Sequence, residues 1–158
     1  MGKMTITGLE EFESQLKALG DQSTTVIHAA LYAGAGKLLE EVKKSIQALP
    51  EDEGYKQPGE LRKVCTHAEK QALLTHIGIA KHDPDTTAIG FDGYTDYVTK
   101  KYPRGVPVPL IARSIESGSS VRQKWPFLRK TGNAAKETIQ KAMADAATEA
   151  AQKITGGK

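Results

Sequence analysis

No other part of the sequence limits the fold as tightly as the run from Ile27 to Leu49. Ile27, Leu31, Ala35, Leu38, Val42, Ile46 and Leu49 recur at spacings of four, four, three, four, four and three. Apolar residues at that period share one stripe of an α-helix. Lys37, Glu40, Glu41, Lys43 and Lys44 occupy the other side. Asp21 and Ser23 are candidate caps at the start, and Pro50 ends the helix because it has no N–H and clashes with the preceding turn. Gly34 and Gly36 each weaken a helix by about 1 kcal/mol relative to Ala, which points to the close approach of another backbone.

The flanking segments predict further elements. Thr7-Gly8-Leu9-Glu10 reads as a capping box. Leu9, Phe12, Leu16 and Leu19 follow at helical spacing, with Gly20 as the stop. Glu51–Gly59 is an acidic, turn-rich loop. Ala72–Ala80 and Thr86–Phe91 predict two strands around the turn Lys81-His82-Asp83-Pro84-Asp85, an antiparallel hairpin. Asp96–Thr99 and Ile111–Ile115 are candidate short strands. Pro103, Pro107 and Pro109 make Lys100–Leu110 an irregular stretch with no helix, and Gly118–Lys124 is polar and flexible by composition. After Pro126, a cap at Thr131 or Asn133 predicts a last helix with Ala135, Ile139, Ala142, Ala146 and Ala150 along one face. The expected fold is α+β: two N-terminal helices, a small antiparallel sheet, a long basic loop and a C-terminal helix packed on the sheet. The 158 residues fit a single domain, with 156–158 disordered.

The composition excludes several classes. One cysteine, Cys65, allows no internal disulfide. The first residues, MGKMTITGLEEF, contain no apolar run of signal length, so export by that route is not expected. The most apolar stretch, Val26–Leu39, is too short and too interrupted to span a bilayer, so no membrane contact is expected. The net charge of +3 is unevenly spread. Between Val98 and Lys130, eight basic residues face one acid, Glu116, which makes this stretch +7 and the remainder −4. Such a split points to an anionic partner, either nucleic acid or an acidic protein surface; a solvated loop is the plain alternative.

Catalytic and cofactor patterns fail on their spacing. Gly34-Ala35-Gly36-Lys37 imitates a phosphate loop, but Leu31 stands where a Gly is needed and Leu38 where Ser or Thr is needed. His67, His76, His82, Asp83 and Asp85 lack the tight ligand pairs of a zinc site. Cys65 and His67 would share a strand face, yet no nearby Asn or Asp orients the histidine. No catalytic residue, cofactor, metal or small-molecule substrate is assigned.

Three motifs in order carry a family resemblance. Gly8-Leu9-Glu10-Glu11-Phe12 opens a helix. Pro58-Gly59-Glu60-Leu61-Arg62 precedes Ile77-Gly78-Ile79 and Ile89-Gly90-Phe91. Ile115-Glu116-Ser117-Gly118-Ser119 is followed by Pro126-Phe127-Leu128-Arg129 and a helix. This order resembles the tail-component family of long-tailed bacteriophages, with Pro58 where members commonly carry Thr. The resemblance implies a structural virion protein of tail completion or head–tail joining. It also implies no catalysis, assembly in the host cytoplasm, a place in the tail or neck, and contact with other neck or tail proteins. By analogy with phage necks, a homo-oligomeric ring is expected.

The candidate partner-binding residues are Lys100, Lys101, Arg104, Arg113, Arg122, Lys124, Trp125, Phe127 and Arg129. Trp125, Phe127 and Arg129 alternate across Pro126 and would point the same way on an extended segment. Trp125 and Phe127 are equally readable as core residues pinning the last helix. The Pro-rich basic loop is expected to order on assembly. The other functional reading is a small nucleic-acid-binding module using residues 98–130, with Tyr102 and Trp125 stacking on bases.

Overall fold

The computed structural model describes residues 9–52, 64–83 and 86–156. Helix α1 (Leu9–Asp21) runs through Gly20 rather than stopping there. Thr7, the first residue of the expected capping box, lies outside the described residues, as do Pro58–Arg62 of the middle motif. Helix α2 (Ser23–Gln47) is the long helix that the periodicity predicts. Val42 and Ile46 are buried on its stripe, Leu49 just beyond it is also buried, and only Ile27 at the other end stays exposed.

Helix α3 (His67–Thr75) occupies the first half of the expected strand from Ala72. Its determinant is a capping box. The Thr66 hydroxyl accepts from Glu69 N at 3.2 Å, and Thr66 N donates to Glu69 Oε2 at 2.9 Å. Two orphan donors at the helix start are thereby satisfied. Strands β1 (Ile77–Asp83) and β2 (Thr86–Phe91) form the predicted antiparallel hairpin, pairing Ile79 with Ile89, with a bulge between Lys81 and Asp83. Asp96–Thr99 is not a strand; the nearby pairing is a single bridge between Tyr94 and Pro107.

Helix α4 (Val108–Ser117) replaces the strand expected at Ile111–Ile115 and begins inside the stretch expected to hold no helix. Pro107 is its N-cap and Pro109 falls in its first turn, where a missing N–H costs nothing because that donor has no intrahelical partner. Val108, Ile111, Ala112 and Ile115 are buried on one face. Helix α5 (Phe127–Ala134) starts directly after Pro126, before the expected caps. Helix α6 (Lys136–Gly156) follows and includes Gly156, which was expected in a disordered tail.

The fold is α+β: among the described residues, six helices and a two-stranded antiparallel sheet. The core joins the C-terminal half of α2 with α3, α4, Ile77 of β1 and Phe127 of α5. Helix α6 packs along α2 rather than on the sheet. Gly34 permits this: a Cβ there would sit 2.6 Å from Met143 Cγ on α6, whereas one at Gly36 would meet nothing within 4 Å. No described helix is long and apolar enough to cross a membrane.

Candidate functional site

The basic stretch divides into a loop, a helix face and a turn. In the loop, Thr99 N donates to Tyr102 O at 3.1 Å and Tyr102 N donates back to Thr99 O at 3.0 Å. The Thr95 hydroxyl accepts from Val106 N at 2.9 Å and donates to Tyr97 O at 3.0 Å. Gly105, with φ of 98°, lets Thr95 O pass where a side chain would stand. The loop therefore has its own internal bonding rather than relying on a partner for it. Lys100, Lys101 and Arg104 project from it and are exposed. Lys101 Nζ lies 5.6 Å from the centre of the Tyr102 ring.

On α4, the face opposite the core presents Leu110, Arg113 and Ser117, at spacings of three and four. Gly118, with φ of 75°, ends the helix. Ser119 and Arg122 then close a tight turn by reciprocal backbone bonds of 3.0 and 3.3 Å. Trp125 N donates to Ile115 O at 2.8 Å, which fixes its backbone against α4 while its side chain remains 41% exposed. Lys130 Nζ stands 5.9 Å from the Trp125 ring centre, within cation–π range.

Two of the nine predicted contact residues are corrected. Arg122 is buried, and its Nη2 donates to Glu69 Oε1 at 2.6 Å. It neutralises an internal carboxylate and is withdrawn from the surface. Phe127 is also buried, its ring edge-on to Phe91 at 6.4 Å between centroids. Because Phe127 opens a helix, the segment is not extended, and Trp125 and Phe127 point to opposite environments. Phe127 is a core residue. Lys100, Lys101, Arg104, Arg113, Lys124, Trp125 and Arg129 remain exposed.

Lys130 brings the exposed cations of this stretch to seven, and among the described residues none of the seven is in an ion pair. The one acid of the stretch, Glu116, is already engaged. Its two oxygens accept from Leu128 N at 2.8 Å and Arg129 N at 3.1 Å, capping the first turn of α5. Interspersed with the cations are Tyr94, Val98, Leu110, Val121 and Trp125, five of the nine exposed large apolar side chains among the described residues. Val98 and Val121, at 65% and 62%, are the most exposed of them.

The other gathering of reactive side chains lies around Cys65. Its thiol is buried, Sγ donates to Pro50 O at 3.7 Å, and burial pushes its pKa up to about 11. A nucleophilic cysteine needs the opposite shift, toward thiolate. His67 Nδ1 is 3.0 Å from Glu51 Oε2. Lys70 Nζ bridges Glu51 Oε1 at 2.8 Å and Leu49 O at 3.0 Å. These bonds tie the segment after α2 to α3. Among the described residues no group of three or more His, Cys, Asp or Glu side chains could hold a metal ion. The sequence signals missed here were Thr66-x-x-Glu69, a capping box, and Glu116 placed before Pro126.

No protein-family profile matches the chain, and no curated protein or solved structure is significantly similar to it.

Proposed function

We propose that this chain is a structural protein of phage tail completion or head–tail joining, working through protein–protein contacts made by residues 94–130. The observation that carries the reading is the mixed character of that surface: seven exposed cations, without an ion pair among the described residues, interspersed with five exposed large apolar side chains. Exposed Trp, Tyr and Arg are the residue types enriched where protein interfaces are strongest. The cations attract an acidic neighbour and orient its approach; Trp125 and the valines supply area to bury once it docks. The motif order described above supplies the choice of phage tail or neck as the setting. The expected partners are other neck or tail proteins, with a homo-oligomeric ring as the expected assembly.

Deleting the coding sequence from the phage genome that carries it should give heads and tails that fail to join, or unfinished tails, in electron micrographs. Intact infectious particles from the deletion would sink the proposal. A nucleic-acid-binding reading draws on Tyr102, 5.6 Å from Lys101 Nζ beside Lys100 and Arg104. It requires DNA affinity that falls steeply with salt and is lost when Lys100, Lys101 and Arg104 are changed.

A further inference from the structure

Among the described residues, strand β1 has an open hydrogen-bonding edge. Asp92 N donates to His76 O at 3.0 Å, and these residues fall in the same register as the pair Ile77 and Phe91. In an antiparallel ladder, hydrogen-bonded and non-bonded pairs alternate. Gly78/Gly90 and Ala80/Ala88 are therefore the bonded pairs. The N–H and C=O groups of Ile77, Ile79 and Lys81 point outward, away from β2. Among the described residues, none of these groups has a backbone partner.

The two sides of the hairpin differ. Beyond the end of β2, Val108 N donates to Gly93 O at 3.1 Å and Thr95 N to Val106 O at 3.0 Å, so that side is continued by chain leading into α4. On β1, residues 78–80 are all exposed. Soluble monomers shield such an edge with charge, proline, a bulge or a covering element; here Lys81, His82, Asp83 and the bulge stand only at the far end of β1, and residues 77–80 are Ile-Gly-Ile-Ala. Ile79 lies on the same strand face as buried Ile77 but is 37% exposed, so the core-facing row runs on past the core.

We propose that β1 pairs antiparallel with β1 of a second copy of this chain, about a two-fold axis through Ile79. The strand is self-complementary in that register. The outward groups of residues 77, 79 and 81 meet those of residues 81, 79 and 77 of the other copy, each pair exchanging both N–H···O bonds. Ile79 lies opposite its own copy, Gly78 lies opposite Ala80, and position 81 falls opposite position 77, so no residue but Ile79 faces its own copy. The interface is isologous and does not depend on the tail-assembly reading.

The test is the molar mass of the full chain by light scattering, from micromolar to submillimolar concentration. The wild type should be dimeric at the upper end. Ile79→Pro removes an outward N–H and no bond of the β1–β2 ladder, so it should be monomeric with an unchanged circular dichroism spectrum. Ala80→Pro breaks the ladder itself and should lose stability as well. Independently, Ile79→Cys should form a symmetric disulfide dimer on oxidation, because bonded cross-strand pairs stand roughly 5.5 Å apart at Cα, within disulfide reach. A wild type that is monomeric throughout, a dimer that survives Ile79→Pro, or an Ile79→Cys chain that does not cross-link overturns the proposal. A monomer that takes a strand only from a different protein also overturns it.

Discussion

Arg122 and Glu69, 53 residues apart in sequence, meet in a buried ion pair with 2.6 Å between Nη2 and Oε1. The pair joins the turn after α4 to the first turn of α3. Glu69 Oε2 is held at the same time by Thr66 N at 2.9 Å, so a single carboxylate caps one helix and anchors another segment. Replacing Arg122 with Met leaves that carboxylate buried without its counter-charge. The expected loss is about 3–5 kcal/mol in urea unfolding, and the double change with Glu69→Gln should recover part of it. A loss under about 1 kcal/mol would place Arg122 on the surface after all.

The thiol of Cys65 gives a pH dependence of defined sign. Its pKa rises from 9.0 to about 11 in the folded chain, chiefly through burial. Above the unfolded value, the unfolded chain releases this proton more readily than the native one, so stability declines as pH climbs from 9 toward 11. Cys65→Ala should flatten that decline while lowering stability at pH 7 through the small cavity it leaves. Thermal unfolding across the range checks both effects. A thiol reagent at pH 8 should label the native protein slowly and the urea-unfolded protein fast.

Glycines at 105 and 36 should respond oppositely to alanine. Gly105 has φ of 98° and lies against Thr95 O, so Gly105→Ala must strain the backbone or displace the loop. A loss of roughly 1–3 kcal/mol is expected. Gly36 is in the interior of α2 with nothing near its missing Cβ, and Gly36→Ala should stabilise by up to about 1 kcal/mol. Chemical denaturation of the two variants side by side settles both values.

Trp125 and Phe127 separate binding from folding. Phe127→Ala should cost about 3–5 kcal/mol of stability because it empties a core position. Trp125→Ala should change stability little, and should weaken capture of a neck or tail partner by about 2 kcal/mol or more, roughly thirtyfold. Calorimetric unfolding paired with a pull-down distinguishes them. Equal loss of folding in the two variants would assign Trp125 to the core.

The sequence was most informative where one apolar stripe dominates. The period of α2, the Ala face of α6 and the antiparallel pairing of the hairpin are legible, whereas Lys81–Asp83, expected in the turn, belong to β1. The failures share a physical cause. Val108–Ser117 reads as irregular chain and strand because Pro107 and Pro109 stand on either side of its first residue, although prolines at a cap and in a first turn are compatible with a helix. Ala72–Thr75 reads with the strand that follows unless Thr66-x-x-Glu69 is taken as a helix start. Burial of a charge was harder still. Arg122 sits between Val121 and Gln123 in a polar run with no local mark of its distant partner, and only the fold brings Glu69 to it. Phe127 was legible as apolar, but its direction depended on whether Pro126 began a helix.

Helix α6 contains no buried residue, and none of residues 14–33 is buried either. Yet α2, of 25 residues and roughly 37 Å, runs unbroken from this thin helical arm into the core. The two ends of one helix therefore belong to different cooperative units. Amide protons of α6 and of the first turns of α2 should exchange through a sub-global opening, whereas those near Val42 and Ile46 should await complete unfolding. On that division, α6 and the first turns of α2 can open while the surface built on α4 keeps its support from the core.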